Sequence, residues 1–267
     1  MLGKVKRLIN EIVFDRHQIP VTWAKKDSRS WLVQQFEQDF IRPEKSAYSA
    51  QIEQLAKATN RLGPQPLWQG YAGRNVGGPT RMSDEVRTSA AMGDAYTWLV
   101  QKLQPRIIVE FGTAFGVSGM YFLAGIEYNH KGRLLTFEPN EVWRNLAVAN
   151  LSKISERFHS VAGTFEDNID KVLPSDQSID LAFIDAIHTR EFVLPQLEIV
   201  LSKCDDKAII ILDDINFSND MKACWNILFR DERFLAAAVL DQRVGILELD
   251  DARKTESQPA RFRLASG

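Results

Sequence analysis

The chain has 267 residues, 45% apolar and 25% charged, and its 33 Lys and Arg against 35 Asp and Glu leave a formal charge of -2. That size suits one large domain, or one domain with an appendage, around a substantial core, and near neutrality gives no electrostatic reason to expect a nucleic-acid partner. No run approaches the ~18 consecutive apolar residues of a membrane span, no signal peptide is read at the basic start, and two distant cysteines, Cys204 and Cys224, fit a reducing, cytoplasmic setting.

Residues 1–82 are expected to form a helical and loop extension, a lid over a cleft or a homo-oligomer interface. Leu2, Val5, Leu8, Ile9 and Ile12 recur at helical spacing, as do Trp31, Leu32, Phe36 and Phe40 before Pro43. A polar helix follows from Glu44 to Leu62. The glycine- and proline-rich stretch Gly63 to Pro79, with Trp68, Tyr71 and Arg74, reads as a long loop, either a binding loop or a plain linker.

From residue 83 to 250 strands and helices alternate. A helix opened by Ser83 runs to about Gln104, where Pro105 ends it. Strands are predicted at Arg106–Glu110, Arg133–Phe137, Phe158–Ala162, Asp180–Ile184 and Ala208–Leu212, with helices between them, then a hairpin of Leu235–Leu240 and Val244–Leu249. Runs such as Ile107 to Val109 and Ile209 to Leu212 are apolar on both faces, as parallel strands covered by helices on each side must be. The fold class is therefore α/β, a doubly wound, mostly parallel seven-stranded sheet with a terminal β-hairpin. Residues 251–267 read as a loose polar tail.

In such a sheet, ligands bind beyond the carboxyl ends of the strands. The first strand-to-helix turn reads Val109-Glu110-Phe111-Gly112-Thr113-Ala114-Phe115-Gly116-Val117-Ser118. Gly112 and Gly116 permit a sharp turn and close approach of backbone to a ligand. The spacing G-x-x-x-G lacks the middle glycine of a dinucleotide fingerprint. Glu110 before the turn would repel a pyrophosphate but suit an ammonium group, as S-adenosylmethionine carries. Glu138, ending the second strand, can accept hydrogen bonds from both hydroxyls of a ribose.

With these motifs in order, residues 83–249 resemble the class I S-adenosylmethionine-dependent methyltransferases. The match rests on Glu110 to Gly116, on Glu138, on Phe183-Ile184-Asp185-Ala186-Ile187-His188 and on Leu212-Asp213-Asp214-Ile215. The resemblance implies a Rossmann-like fold in which Glu110, Gly112, Thr113, Ala114, Gly116 and Ser118 line the methionine end. It places Glu138 on the ribose, Thr164, Phe165 and Glu166 beside the adenine, and Asp185 near the donor.

Asp185, Asp213 and Asp214 fall at neighbouring strand ends and would repel each other without a cation between them. Hard oxygen ligands suit Mg²⁺ or another divalent ion, the alternative being helix capping by one Asp and substrate contact by another. The trio resembles the site of metal-dependent O-methyltransferases of the catechol and antibiotic-sugar types. It departs from them: Ile215 follows Asp214 where the catechol type has Asn, and Ile187 stands where the sugar type has a second Asp. His188, three positions after Asp185, could take a hydroxyl proton, or be a structural histidine. His17, His130 and His159 read as surface or loop residues, and Trp143 and Trp225 as core. The expected activity is methyl transfer to a hydroxyl of a small molecule, with Asp185 and His188 as catalytic residues. N- or C-methylation without metal, an NAD(P)-dependent oxidoreductase and a non-catalytic nucleotide-binding protein remain alternatives.

Overall fold

The computed structural model describes residues 18–36, 39–68, 78–185 and 187–250. The amphipathic stretch from Leu2 to Ile12, His17, Tyr71, Arg74 and the polar tail from residue 251 lie outside the described residues.

All seven expected strands form. In chain order the parallel set is β5 (Ile107–Phe111), β6 (Arg133–Glu138), β7 (Phe158–Ala162), β8 (Ile179–Ile184) and β9 (Cys204–Leu212), followed by the antiparallel pair β10 (Phe234–Leu240) and β11 (Val244–Leu249). Two further strands come from the N-terminal segment: β1 (Ile19–Lys25) pairs with β10, and β2 (Phe40–Ile41) pairs with β1. Among the described residues the sheet therefore has nine strands, in the order β2-β1-β10-β11-β9-β8-β5-β6-β7. This corrects the reading of residues 1–82 as a helical extension. β1 shows the alternating burial of an edge region, with Ile19 and Val21 inside, and that two-residue period is too short to stand out beside Trp23 and Lys25.

The helical segments before β5 are also shorter than expected. They are α1 (Trp31–Gln35), α2 (Ser49–Asn60), a single 3-10 turn at Ser83–Glu85, and α3 (Ala90–Leu103), whose N-terminus is capped by the Ser89 hydroxyl accepting from Met92 N–H. Within the Gly63 to Pro79 loop, β3 (Gln65–Pro66) pairs with β4 (Thr80–Arg81). The remaining helices are α4 (Val117–Asn129), α5 (Glu141–Leu151), α6 (Phe165–Val172), α7 (Arg190–Lys203) and α8 (Asn219–Leu228).

Strand periodicity sorts the core into two layers. Ile108, Leu134, Leu181, Phe183 and Ile209 face a layer holding Tyr96 of α3 and Phe122 of α4. Ile107, Val109, Leu135, Ala182 and Ile210 face the opposite layer, with Ile169 of α6, Leu197 of α7 and Trp225 of α8. The core reading of Trp225 holds.

Buried Glu248 on β11 fastens the N-terminal segment to the sheet. Its carboxylate accepts from Ser30 Oγ at 2.5 Å and from the N–H groups of Trp31 and Leu32 at 2.8 Å each, meeting the first turn of α1, where a negative charge is favoured. Glu248→Ala strands three donors and is expected to lower stability by about 3 kcal/mol, read as a shift of the urea unfolding midpoint.

Candidate active site

Strand order reverses between β5 and β8: the chain goes from β5 outward to β6 and β7, then returns to β8 and β9 on the other side. Such a switch point opens a crevice at the carboxyl ends of the strands. A cavity of about 300 Å³ lies there, at the lower end of ordinary ligand pockets.

The turn after β5 forms its floor. Gly112, Ala114 and Gly116 all have left-handed backbone, with φ of 82°, 46° and 83°. Thus Ala114 adopts the conformation that the missing middle glycine would have supplied. Gly112 and Thr113 N–H donate to the Phe137 carbonyl at the end of β6. Glu138, 5% exposed, clamps the turn from the side: Oε2 accepts from Ala114 N–H and Oε1 from Asn140 N–H, each at 2.8 Å. Each oxygen keeps a lone pair for a further donor. Burial pushes Glu138 up to about 7, against the hydrogen bonds from Asn140 and Ala114.

Glu110 departs from its expected place. It is wholly buried, accepts from Ser118 Oγ and Thr136 Oγ1 at 2.6 Å each, and is absent from the cavity wall. Its side chain leaves the sheet beneath the turn, toward α4, because strand neighbours alternate faces and Phe111 takes the cavity side. Burial pushes it up to about 7 despite those two donors. Gly116 is likewise absent from the wall. A Cβ there would meet Ala147 Cα at 3.2 Å, so this glycine lets α5 approach the turn. Gly112 and Ala114 do line the cavity, and Thr113 and Ser118 line a narrow crevice that shares Gly112, Ala114 and Asp185 with it. The Thr113 and Thr136 hydroxyls are hydrogen-bonded to each other.

Thr164, Phe165 and Glu166 line the same cavity. Phe165 is core and wall at once: it stacks on Phe111 with ring centroids 3.7 Å apart. Two cavity residues carry buried polar atoms without a partner among the described residues, Trp143 Nε1 and Gln196 Oε1. Buried polar groups are normally satisfied, so a ligand with an acceptor near Trp143 and a donor near Gln196 completes them. A nucleoside fits: the exocyclic amine of adenine is a donor, and its ring nitrogens are acceptors. Gln196 Nε2 is held by Glu166 Oε2 at 2.9 Å, which leaves its Oε1 for that donor. Trp143 is thus a cavity residue as well as core, a correction to the core reading.

The acidic trio is arranged by an unexpected cation. Arg243 forks onto Asp213, Nε to Oδ1 at 2.9 Å and Nη2 to Oδ2 at 2.8 Å, and its Nε also lies 2.8 Å from Asp214 Oδ1. Against the cost of burial, these carboxylates hold the guanidinium well above its usual range. Successive strand residues would point Asp213 and Asp214 to opposite faces. Asp214 escapes this by a left-handed backbone, φ 53°, with its N–H donating to Asp213 Oδ1 at 2.9 Å. The expected metal site at Asp185, Asp213 and Asp214 is therefore not supported: Asp213 has both oxygens on Arg243, and among the described residues no group of three or more His, Cys, Asp or Glu side chains is placed to hold a metal ion.

His188 lines the cavity with Nε2 3.7 Å from Asp185 Oδ1 and 3.6 Å from Asp214 Oδ2, and its ring lies 5.3 Å from Phe217. Burial lowers its affinity for a proton below the ordinary value of 6.5, with Asp214 and Asp213 opposing. Burial, with Asp213 and Asp214 nearby, pushes Asp185 well above the carboxylate range. Leu67, Trp68, Ile187, Phe192 and the exposed Phe217 add an apolar part to the cavity wall, and Phe217 stands beside His188. Glu85 and Val86 reach the wall because the helix expected from Ser83 breaks before α3, and Leu67 reaches it from the segment after β3. Arg243 carried a topological signal: β11 runs antiparallel to β9, so the tip of the terminal hairpin must lie at the carboxyl end of β9.

Residues 109–215 match the family model described as a methyltransferase domain. The matched segment runs from β5 to the residues after β9, the part of the fold that carries most of the cavity wall. In sequence no curated protein matches the chain. Solved structures share its fold: an O-methyltransferase from Bacillus cereus in complex with S-adenosylhomocysteine is 20% identical over 76% of this chain and 91% of its own, with a TM-score of 0.55. One from Streptomyces achromogenes involved in tomaymycin synthesis, in complex with S-adenosylmethionine, is 17% identical over 74% of this chain and 90% of its own, TM-score 0.56. An S-adenosylhomocysteine-bound methyltransferase from Podospora anserina is 16% identical over 75% and 96%, TM-score 0.52. No helix among the described residues is long and apolar enough to cross a membrane.

Proposed function

We propose that the chain methylates a hydroxyl of a small molecule, with His188 as the base and without a divalent ion. The observation that carries this reading is the position of His188, in the cavity wall between two carboxylates and beside Phe217 of its apolar part, which suits a small, flat acceptor. When bound, S-adenosylmethionine supplies an electrophilic methyl carbon on a cationic sulfur. Glu138 receives the ribose hydroxyls, Gln196 and Trp143 the adenine, and Gly112 and Ala114 allow the methionine end to approach the backbone. Asp185 and Asp214 face Nε2 of His188, which favours the tautomer protonated there and leaves Nδ1 to accept. His188 would take the proton of the acceptor hydroxyl as that oxygen receives the methyl group, the electron pair of the carbon–sulfur bond staying with the donor's sulfur. The rest is positioning and exclusion of water, with Trp68 and Phe217 in the apolar part of the wall.

Incubation with methyl-labelled donor and a pool of hydroxylated small molecules tests this. Label recovered as a methoxy product supports the reading, while label found only on nitrogen or carbon overturns it. The same base sets the pH dependence. A buried imidazole resists protonation, so it stays neutral and competent at pH 7 and is lost only in acid. With the methyl donor kept saturating, so that titration of Glu138 does not enter, a plot of log kcat/KM for the acceptor against pH is expected to rise with unit slope below the His188 pKa and level off at a midpoint under 6.5.

A further inference from the structure

We infer that Arg243 is the resident cation of this site, standing where a divalent ion would have to stand to neutralise Asp213 and Asp214, so that the acidic strand ends neither need nor admit a metal while it is there. The inference deepens the metal-free reading above and rests on it for its bearing on catalysis. Three observations converge. The guanidinium forks onto Asp213, which is 3% exposed, so both oxygens of the deepest carboxylate are committed. The same Nε reaches Asp214, whose left-handed backbone turns it toward Arg243.

The third observation is that the backbone of Arg243 is fixed as well. It ends a two-residue hairpin turn in which Asp241 and Gln242 both have positive φ, 48° and 57°, with Arg243 N–H donating to the Leu240 carbonyl. Its own carbonyl accepts from Ile215 N–H at 3.1 Å, which ties the hairpin tip to the segment after β9. A planar, permanently charged fork anchored in this way matches a carboxylate better than lysine can. A divalent ion would need several oxygen ligands at ~2.0–2.6 Å, and to reach those of Asp213 it would have to displace the fork. Asp214 is shared: Oδ1 faces Arg243 and Oδ2 faces His188, so the resident charge sits one carboxylate away from the base.

Titration with Mn²⁺, read by electron paramagnetic resonance on the full chain, tests this. The wild-type protein is expected to leave Mn²⁺ free, whereas Arg243→Ala, and Arg243→Gln should the alanine variant not fold, is expected to bind it at least about ten-fold more tightly than the wild type. Adding Asp214→Asn should remove that gain. Stoichiometric Mn²⁺ binding by the wild type overturns the inference. So does a folded Arg243 variant, still binding S-adenosylhomocysteine, that gains no Mn²⁺. Failure of the wild type to bind S-adenosylhomocysteine counts separately, against the donor pocket and not against Arg243.

Discussion

Glu138→Ala is expected to weaken S-adenosylhomocysteine binding by about 100-fold. Two ribose hydroxyls donating to one ionised carboxylate, at the lower end of the 1.5–3 kcal/mol typical for each such bond, amount to ~3 kcal/mol. Part of the loss has a second origin. The same carboxylate holds Ala114 and Asn140 N–H, and without it the left-handed Ala114 loses the contact that keeps the β5 turn in place. Glu138→Gln separates the two, since the amide oxygen can keep one backbone contact but cannot accept from both hydroxyls. The protonation state adds a pH signature. Because burial raises Glu138 to about 7, the ionised form that accepts both hydroxyls is depleted as pH falls, and affinity should decline in acid below that point. Calorimetry on the two variants and the wild type across pH checks this. Affinity within about three-fold of wild type in a folded Glu138→Ala would remove Glu138 from the donor site.

The second large effect is catalytic. His188→Ala is expected to lower kcat by about 10²- to 10⁴-fold, the usual contribution of a positioned base, while S-adenosylhomocysteine binding stays unchanged. Binding and chemistry separate because His188 stands beside Asp185, Asp214 and Phe217, at the opposite end of the cavity from Glu166 and Gln196. At saturating donor, the acid limb of the pH profile should vanish with the imidazole. Added imidazole should restore part of the rate in the alanine variant, since truncation leaves a gap in the wall. A variant that loses donor affinity in proportion to rate would make His188 a structural residue instead.

The parallel half of the sheet was legible because its strands are apolar on both faces and its helices end at recognisable signals. The bounds of β7 and β11 agree with expectation at both ends. The N-terminal strands were not, because β1 is half-exposed beside the two-residue edge strand β2 and its other partner, β10, lies more than two hundred residues away in sequence. At the site, Glu138 and the turn after β5 were readable from chemistry at strand ends. Glu110 was misplaced since adjacency to the turn does not say which face of the strand its side chain takes. The acidic trio posed the right electrostatic question, what cation lies between, but the answer came from a hairpin tip whose only sequence mark was one arginine after Asp241 and Gln242. Gln196 and Trp143 were hidden for a related reason: each sits on a helix whose other residues are core, and only their unpaired polar atoms set them apart.

The most direct measurement is a crystal structure of the chain with S-adenosylhomocysteine. The ligand should lie across the switch point, with both ribose hydroxyls on Glu138, the adenine amine at Gln196 Oε1 and the sulfur at the end facing His188. Density for the nucleoside anywhere else, or a ribose out of reach of Glu138, would contradict the assignment of this cavity to the methyl donor.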